Sequence, residues 1–72
     1  MMTFAAALAA YTAIETETDN ALRTGSALVN SSNLMDQQRG RAILASVSGL
    51  RARAREISDE MAAAASRDFA AR

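Results

Sequence analysis

Cysteine, histidine and proline are all missing from the 72-residue chain, and glycine occurs only three times. Without cysteine and histidine the chain has no disulfide bonds, no thiolate or imidazole metal ligands, no thiol nucleophile and no imidazole general base. Without proline it lacks the residue that breaks helices most strongly. Most familiar catalytic and metal sites are therefore excluded, and only Gly25, Gly40 and Gly49 oppose long helices.

Alanine is the commonest residue, with 18 of the 72 positions, and it has the highest helix propensity. Half of the residues are hydrophobic, but the aromatic side chains are only those of Phe4, Tyr11 and Phe69. This composition predicts an all-α protein with one domain, residues 1–72, and a thin core. A chain of this length buries a small fraction of its surface unless another chain helps it.

The basic residues are all arginine, and eight of them balance eight acidic residues to a formal net charge of zero. This balance argues against bulk nucleic acid as the main partner. Residues 1–33 carry three acids and one arginine, a net charge of −2, and residues 34–72 carry seven arginines and five acids, a net charge of +2. The two halves of the chain are thus expected to differ electrostatically.

The apolar stretch from Phe4 to Ala13 has no basic residue before it, and the first arginine is Arg23, so the stretch does not read as a secretory signal. It is also shorter than the ~20 apolar residues that cross a bilayer. We therefore expect no membrane span and, by default, a cytoplasmic protein. Leaderless export into an assembly stays open.

Residues 3–29 are predicted to form an amphipathic helix with Thr3 as its N-cap. Its small and apolar side chains recur at spacings of three and four, which puts them on one stripe. This stripe, the first seam, comprises Phe4, Ala7, Tyr11, Ile14, Thr18, Ala21, Gly25 and Leu28. The polar residues 30–33 favour a turn, and Asn33 is placed to cap a second helix with Asp36 as its third residue.

A second helix is predicted over residues 34–70, with a candidate break near Gly40. Its apolar stripe, the second seam, comprises Ile43, Val47, Leu50, Ala54, Ile57, Met61, Ala64 and Asp68. The two seams are one residue out of phase, so a single continuous helix would rotate its apolar face. Because the connection is short, an antiparallel hairpin of two long helices is the natural arrangement.

A lone hairpin is expected to leave part of each seam exposed, so we predict that it oligomerises into a bundle or packs against other protein. The side chains expected at this protein interface are Tyr11, Ile14, Leu22, Ile43, Val47, Leu50, Ile57 and Met61. A run of small residues in the second helix is expected to mark a tight helix crossing. It comprises Ala42, Ala45, Ser46 and Gly49.

Five of the eight arginines lie within seventeen residues, at Arg39, Arg41, Arg51, Arg53 and Arg55. They form a candidate patch for an acidic partner, a stripe that contacts phosphates, or an ordinary solvated surface beside the second seam. Arg51 and Arg55 share a helix face, whereas Arg53 points roughly the opposite way. No helix-turn-helix, zinc-finger or aromatic stacking pattern accompanies them, so protein or solvent is favoured over nucleic acid.

A compact acidic group, Glu15, Glu17 and Asp19, is the candidate for metal binding or acid–base chemistry. Glu15 and Asp19 share a helix face while Glu17 points away, and no other type of ligand accompanies them. A solvated surface is therefore favoured. We predict no catalytic residue, no metal and no cofactor, and we do not expect the chain to be an enzyme.

The sequence favours a structural or assembly protein that acts through helix–helix packing, as a homo-oligomer or as a subunit of a larger complex. In its alanine-rich, amphipathic helices with serine, threonine and asparagine between them, the chain resembles the helical segments of bacterial axial proteins such as flagellar rods and secretion needles. It carries no motif of those families and lacks the proline-containing turn of the needles. The alternative is a small regulator or inhibitor, antitoxin-like or a phage-encoded antagonist, that docks on one target protein.

Overall fold

The computed structural model describes residues 2–70, which form two helices and a short turn. Helix α1 spans Phe4–Val29 and helix α2 spans Leu34–Ala70. Gly25 lies beside Gly40 near the turn, and Phe4 lies beside Phe69 at the opposite end, here called the open end. The two helices are therefore antiparallel, and the predicted all-α hairpin is confirmed.

The hairpin is a thin rod. Its Cα atoms extend over 58 × 14 × 13 Å, and their radius of gyration is 16.5 Å. A compact domain of this length has a radius of gyration of about 11 Å. The 37 residues of α2, at about 1.5 Å each, account for nearly the whole length of the rod. The molecule is therefore only two helices wide.

The ends of the helices are fixed by the caps that the sequence predicts. The Thr3 hydroxyl accepts a hydrogen bond from the amide of Ala6 at 3.1 Å. The side-chain oxygen of Asn33 accepts from the amides of Met35 and Asp36, at 2.8 and 3.2 Å. These bonds satisfy amide groups that have no partner within a first helical turn. The predicted start of each helix is thus confirmed.

The turn is braced by its own side chains as well as by the cap. The Ser31 hydroxyl donates to the carboxylate of Asp36 at 3.3 Å and accepts from the amide of Asn33 at 3.1 Å. The Gln37 side-chain amide donates to the carbonyl oxygen of Ser31 at 2.8 Å. Because the turn is tied to the first turn of α2, the direction in which the chain reverses is well defined.

The two seams face each other along the rod. The buried hydrophobic residues all belong to them: Ala7, Ile14, Val47, Ile57 and Ala64. Of the remaining seam residues, Gly25 is also buried, the terminal members Phe4 and Asp68 are exposed, and the others are half-buried. Each seam thus covers much of the other, and the core is a single layer of side chains.

Two glycines near the turn bring the backbones of the helices close together. A Cβ atom placed on Gly40 would lie 2.8 Å from the carbonyl oxygen of Gly25 and 2.8 Å from the amide nitrogen of Val29. A Cβ atom placed on Gly25 would lie 2.7 Å from the Leu44 side chain. Both glycines are buried, and only a residue without a side chain lets the backbones approach so closely.

Two expectations about small residues are wrong. The candidate break near Gly40 does not occur, because α2 runs through it without interruption and the missing side chain serves close packing instead. The run Ala42, Ala45, Ser46 and Gly49 does not form the tight crossing. All four of its residues are exposed, and a Cβ atom on Gly49 would meet nothing within 4 Å.

The three glycines give a matched series of substitutions. Gly49→Ala should raise the free energy of unfolding by up to about 1 kcal/mol, because alanine favours helix and the site is open. Gly40→Ala should lower it, because backbone atoms must move to admit the methyl group, at a cost of roughly 1–3 kcal/mol. Gly25→Ala should fall between them, since a Leu44 side chain can shift more easily. Urea unfolding followed by circular dichroism, at one protein concentration, measures the order; equal gains for Gly40→Ala and Gly49→Ala would contradict the close contact.

The cap of α2 gives a second test. Asn33→Ala should lower the free energy of unfolding by about 1 kcal/mol, because two amides lose their acceptor. Asn33→Asp should keep most of the stability, since aspartate caps equally well. The exposed neighbour Ser32 is the control, and Ser32→Ala should change stability little. An Asn33→Ala protein as stable as the Ser32→Ala protein would show that the cap is unimportant.

Candidate protein-interaction surfaces

The residues predicted for a protein interface lie between the two helices of the same chain. Ile14, Val47 and Ile57 are buried there. Tyr11, Leu22, Ile43, Leu50 and Met61 are half-buried. These eight side chains therefore contribute to the contact between the two helices of the hairpin. Contact of the half-buried ones with a second chain stays a prediction.

The largest cluster of buried side chains lies in the half of the rod near the open end. Ala7, Ile14 and Ile57 form its centre. Around them pack five half-buried residues: Ala10, Tyr11, Leu50, Ala54 and Met61. The contact between the helices is therefore made by bulky side chains in this half and by glycines near the turn. The bulky half leaves grooves on both sides of the rod.

One of these grooves runs along the middle of the rod and is here called the Tyr11–Arg51 groove. Its α1 wall consists of Tyr11, Ile14, Glu15, Thr18, Asp19 and Leu22. Its α2 wall consists of Leu44, Val47, Ser48, Arg51, Ala52, Ala54, Arg55 and Ser58. The α1 wall is acidic at its centre and the α2 wall is basic at the same level. The groove is therefore an open surface with charges of opposite sign on its two sides.

The five clustered arginines are all exposed, but they do not form one patch. Arg51 and Arg55 line the Tyr11–Arg51 groove. Arg53 lines a groove on the other side of the rod, as its position between them predicts. Arg39 precedes Arg53 by fourteen residues, so it belongs to the stripe of Arg53. The cluster that looks compact in sequence is divided between two faces.

The groove on the other side of the rod is rich in acids. It is lined by Met2, Ala10, Arg53, Glu56, Ile57, Asp59 and Glu60. Three carboxylates accompany one arginine there, which gives this lining a net charge of −2. The Tyr11–Arg51 groove therefore has balanced charges, whereas the groove on the other side has an excess of acids.

Large apolar side chains are exposed at both ends of the rod. At the open end they are Met2, Phe4, Leu8 and Phe69. At the turn they are Leu34 and Met35. Phe69 is 81% exposed and Met35 is 72% exposed, which are large values for such side chains. These residues were not among the predicted interface residues.

The unequal lengths of the helices explain the exposure of Leu34, Met35 and Phe69. Helix α2 has 37 residues and α1 has 26, so α2 is eleven residues longer. Gly40 lies beside Val29, the last residue of α1, so the first turn and a half of α2 has no part of α1 beside it. Phe69 stands at the other end of α2, beside the first residue of α1. Apolar residues in these overhanging turns find nothing in the same chain to cover them.

The hydroxyl groups of α1 are occupied by their own helix. Thr12, Thr16 and Thr18 donate to the carbonyl oxygens four residues earlier, at 2.9, 3.1 and 2.8 Å. Within the described residues, no group of three or more acids converges to hold a metal ion. Over the same part of the chain, neither helix has an apolar stretch of the length that a bilayer requires.

The open end is fastened by a polar contact. The Arg67 guanidinium donates to the carbonyl oxygen of Met2 at 2.9 Å, and this joins the last turn of α2 to the segment before α1. The exposed aromatic residues Phe4 and Phe69 lie near this contact and line one shallow groove together with Ala65 and Asp68. The open end is thus a defined apolar surface.

Comparison with known protein families, curated proteins and solved structures finds no match to this chain. Arguments about function therefore rest on its own residues.

Substitution of a seam residue tests whether the second seam holds the two helices together. Ile57→Ala should lower the free energy of unfolding by roughly 2–4 kcal/mol, because Ile57 is in the central cluster and is 7% exposed. Leu34→Ala should change it by less than about 0.5 kcal/mol, because Leu34 is 65% exposed. Thermal and urea unfolding of both variants measures the difference. Equal effects would mean that the second seam does not hold the hairpin together.

Proposed function

We propose that this chain is a non-enzymatic structural or assembly protein that acts through helix–helix packing, as a homo-oligomer or as a subunit of a larger complex. The cytoplasm is its proposed default location, and leaderless export into an assembly is the alternative. The observation that carries the proposal is the amount of surface that the hairpin leaves uncovered.

The exposed surface is large for a protein of this mass. The hairpin has 5249 Å² of accessible surface. A compact monomer of 7.6 kDa has about 4,300 Å², so the excess is about 1,000 Å². One partner in a stable protein complex buries about 800 Å². Covering one face of the rod would therefore bring the chain close to the exposure of an ordinary globular protein.

The nature of this surface also favours a protein partner. The exposed apolar side chains are grouped at the two ends of the rod instead of being scattered singly. Grouped exposed apolar residues are typical of surfaces that bind other protein. The Tyr11–Arg51 groove lies between the apolar ends, and its charged side chains offer a partner opposite charges to pair with.

The oligomeric state of the pure protein tests this proposal. We expect size-exclusion chromatography with light scattering to give a mass that is a multiple of 7.6 kDa at micromolar concentration. The midpoint of thermal unfolding should rise with protein concentration, because association stabilises the folded chain. A cooperatively folded 7.6 kDa monomer with a constant midpoint would contradict homo-oligomerisation and would favour the regulator that binds one target protein.

A further inference from the structure

We propose that the Tyr11–Arg51 groove is covered by a second copy of this chain, with both turns at the same end, so that two hairpins form a four-helix bundle. This inference rests on the proposed function, because it names the partner and the face through which the assembly forms. Area, charge and the positions of the apolar residues each support it.

The area of one face matches what a stable dimer needs. A rectangle of 58 by 14 Å, the Cα extents of one face, covers about 800 Å². Each partner of a stable interface buries the same area. Because the rod is two helices wide, a second hairpin on this face makes a bundle of four helices, in which seam side chains exposed toward the groove gain neighbours.

The charges on the groove select the second copy. The acidic residues Glu15 and Asp19 lie on the α1 wall, and the basic residues Arg51 and Arg55 lie on the α2 wall. A partner for this groove must therefore offer a basic wall to α1 and an acidic wall to α2. The same groove of a second copy offers both at the same spacing.

The orientation follows from the same charges. If the turns are at the same end, a two-fold axis along the rod places α1 of each copy against α2 of the other. The acidic wall then faces the basic wall on both sides. If the turns are at opposite ends, α1 faces α1 and α2 faces α2, so acids would meet acids and arginines would meet arginines. Like charges across an interface are costly, so the first orientation is selected.

The apolar residues on this face fit the selected orientation. Phe4 precedes Tyr11 by seven residues and Ala65 follows Ser58 by seven, so the aromatic pair of the open end continues the groove. With both turns at one end, Phe4 of each copy lies at the level of Phe69 of the other. At the other end of the groove, Leu22 lies at the level of Leu44. The charged centre is thus flanked by apolar contacts on both sides.

Charge reversal on the two walls tests the inference. Arg51→Glu with Arg55→Glu should weaken the dimer by about 100-fold or more, because acids then face acids. Glu15→Arg with Asp19→Arg should weaken it similarly. An equimolar mixture of the two variants should recover a dimer, because each wall again meets its opposite. Arg39→Glu with Arg53→Glu changes the charge equally on the other stripe and should leave the dimer intact.

Native mass spectrometry and sedimentation at several concentrations measure these dimers, and the recovered dimer must contain one copy of each variant. Recovery on mixing also shows that both variants still fold. A dimer that is insensitive both to Arg51→Glu with Arg55→Glu and to Arg39→Glu with Arg53→Glu would overturn the orientation, because with the turns at opposite ends the first change only replaces arginine facing arginine by glutamate facing glutamate. A dimer that survives this change but is lost with Arg39→Glu and Arg53→Glu would overturn the choice of face while leaving the proposed function standing. A wild-type monomer would overturn this inference together with the homo-oligomeric form of the proposed function.

Discussion

A single layer of side chains between two helices is the constraint on which the rest of this structure depends. In a rod two helices wide, each seam side chain packs against the other helix on one side and borders an open groove on the adjacent side. Within residues 2–70 the buried side chains are correspondingly few, and two of the five hydrophobic ones are alanines. The glycine pair near the turn brings the backbones together, and the Ile14–Ile57 cluster fills the wider half. Covering one groove with more protein adds the second layer that most helical domains have.

Much of the fold follows from local sequence signals. The three-four spacing identifies the facing sides of both helices, and the caps at Thr3 and Asn33 identify where they begin. These signals act over one or two turns, so they can be recognised without knowing the partner helix. Gly40 shows where this reasoning stops. Its low helix propensity suggests a break, but contact with Gly25, fifteen residues away in sequence, decides its role.

The candidate surfaces were harder to predict because they depend on how the helices are aligned. Helix periodicity alone separates Arg51 from Arg53, as the sequence predicts, but which groove each of them lines depends on the position of α1. The apolar residues Phe69 and Met35 are exposed because α2 is longer than α1 and its end turns are uncovered. The lengths of the two predicted helices already imply the overhang, whereas the pairing of an acidic wall with a basic wall is visible only once the register of the hairpin is known.

The relative position of the two turns in the assembled protein can be measured directly. The chain has no cysteine, so Ser32→Cys in the exposed turn carries a single spin label outside the groove. In a bundle with both turns at one end, pulsed dipolar spectroscopy should give a label separation of about 10–30 Å, as expected for helices packed 8–10 Å apart with flexible labels. A separation near the 58 Å length of the rod, or no coupling between chains, would contradict this assembly.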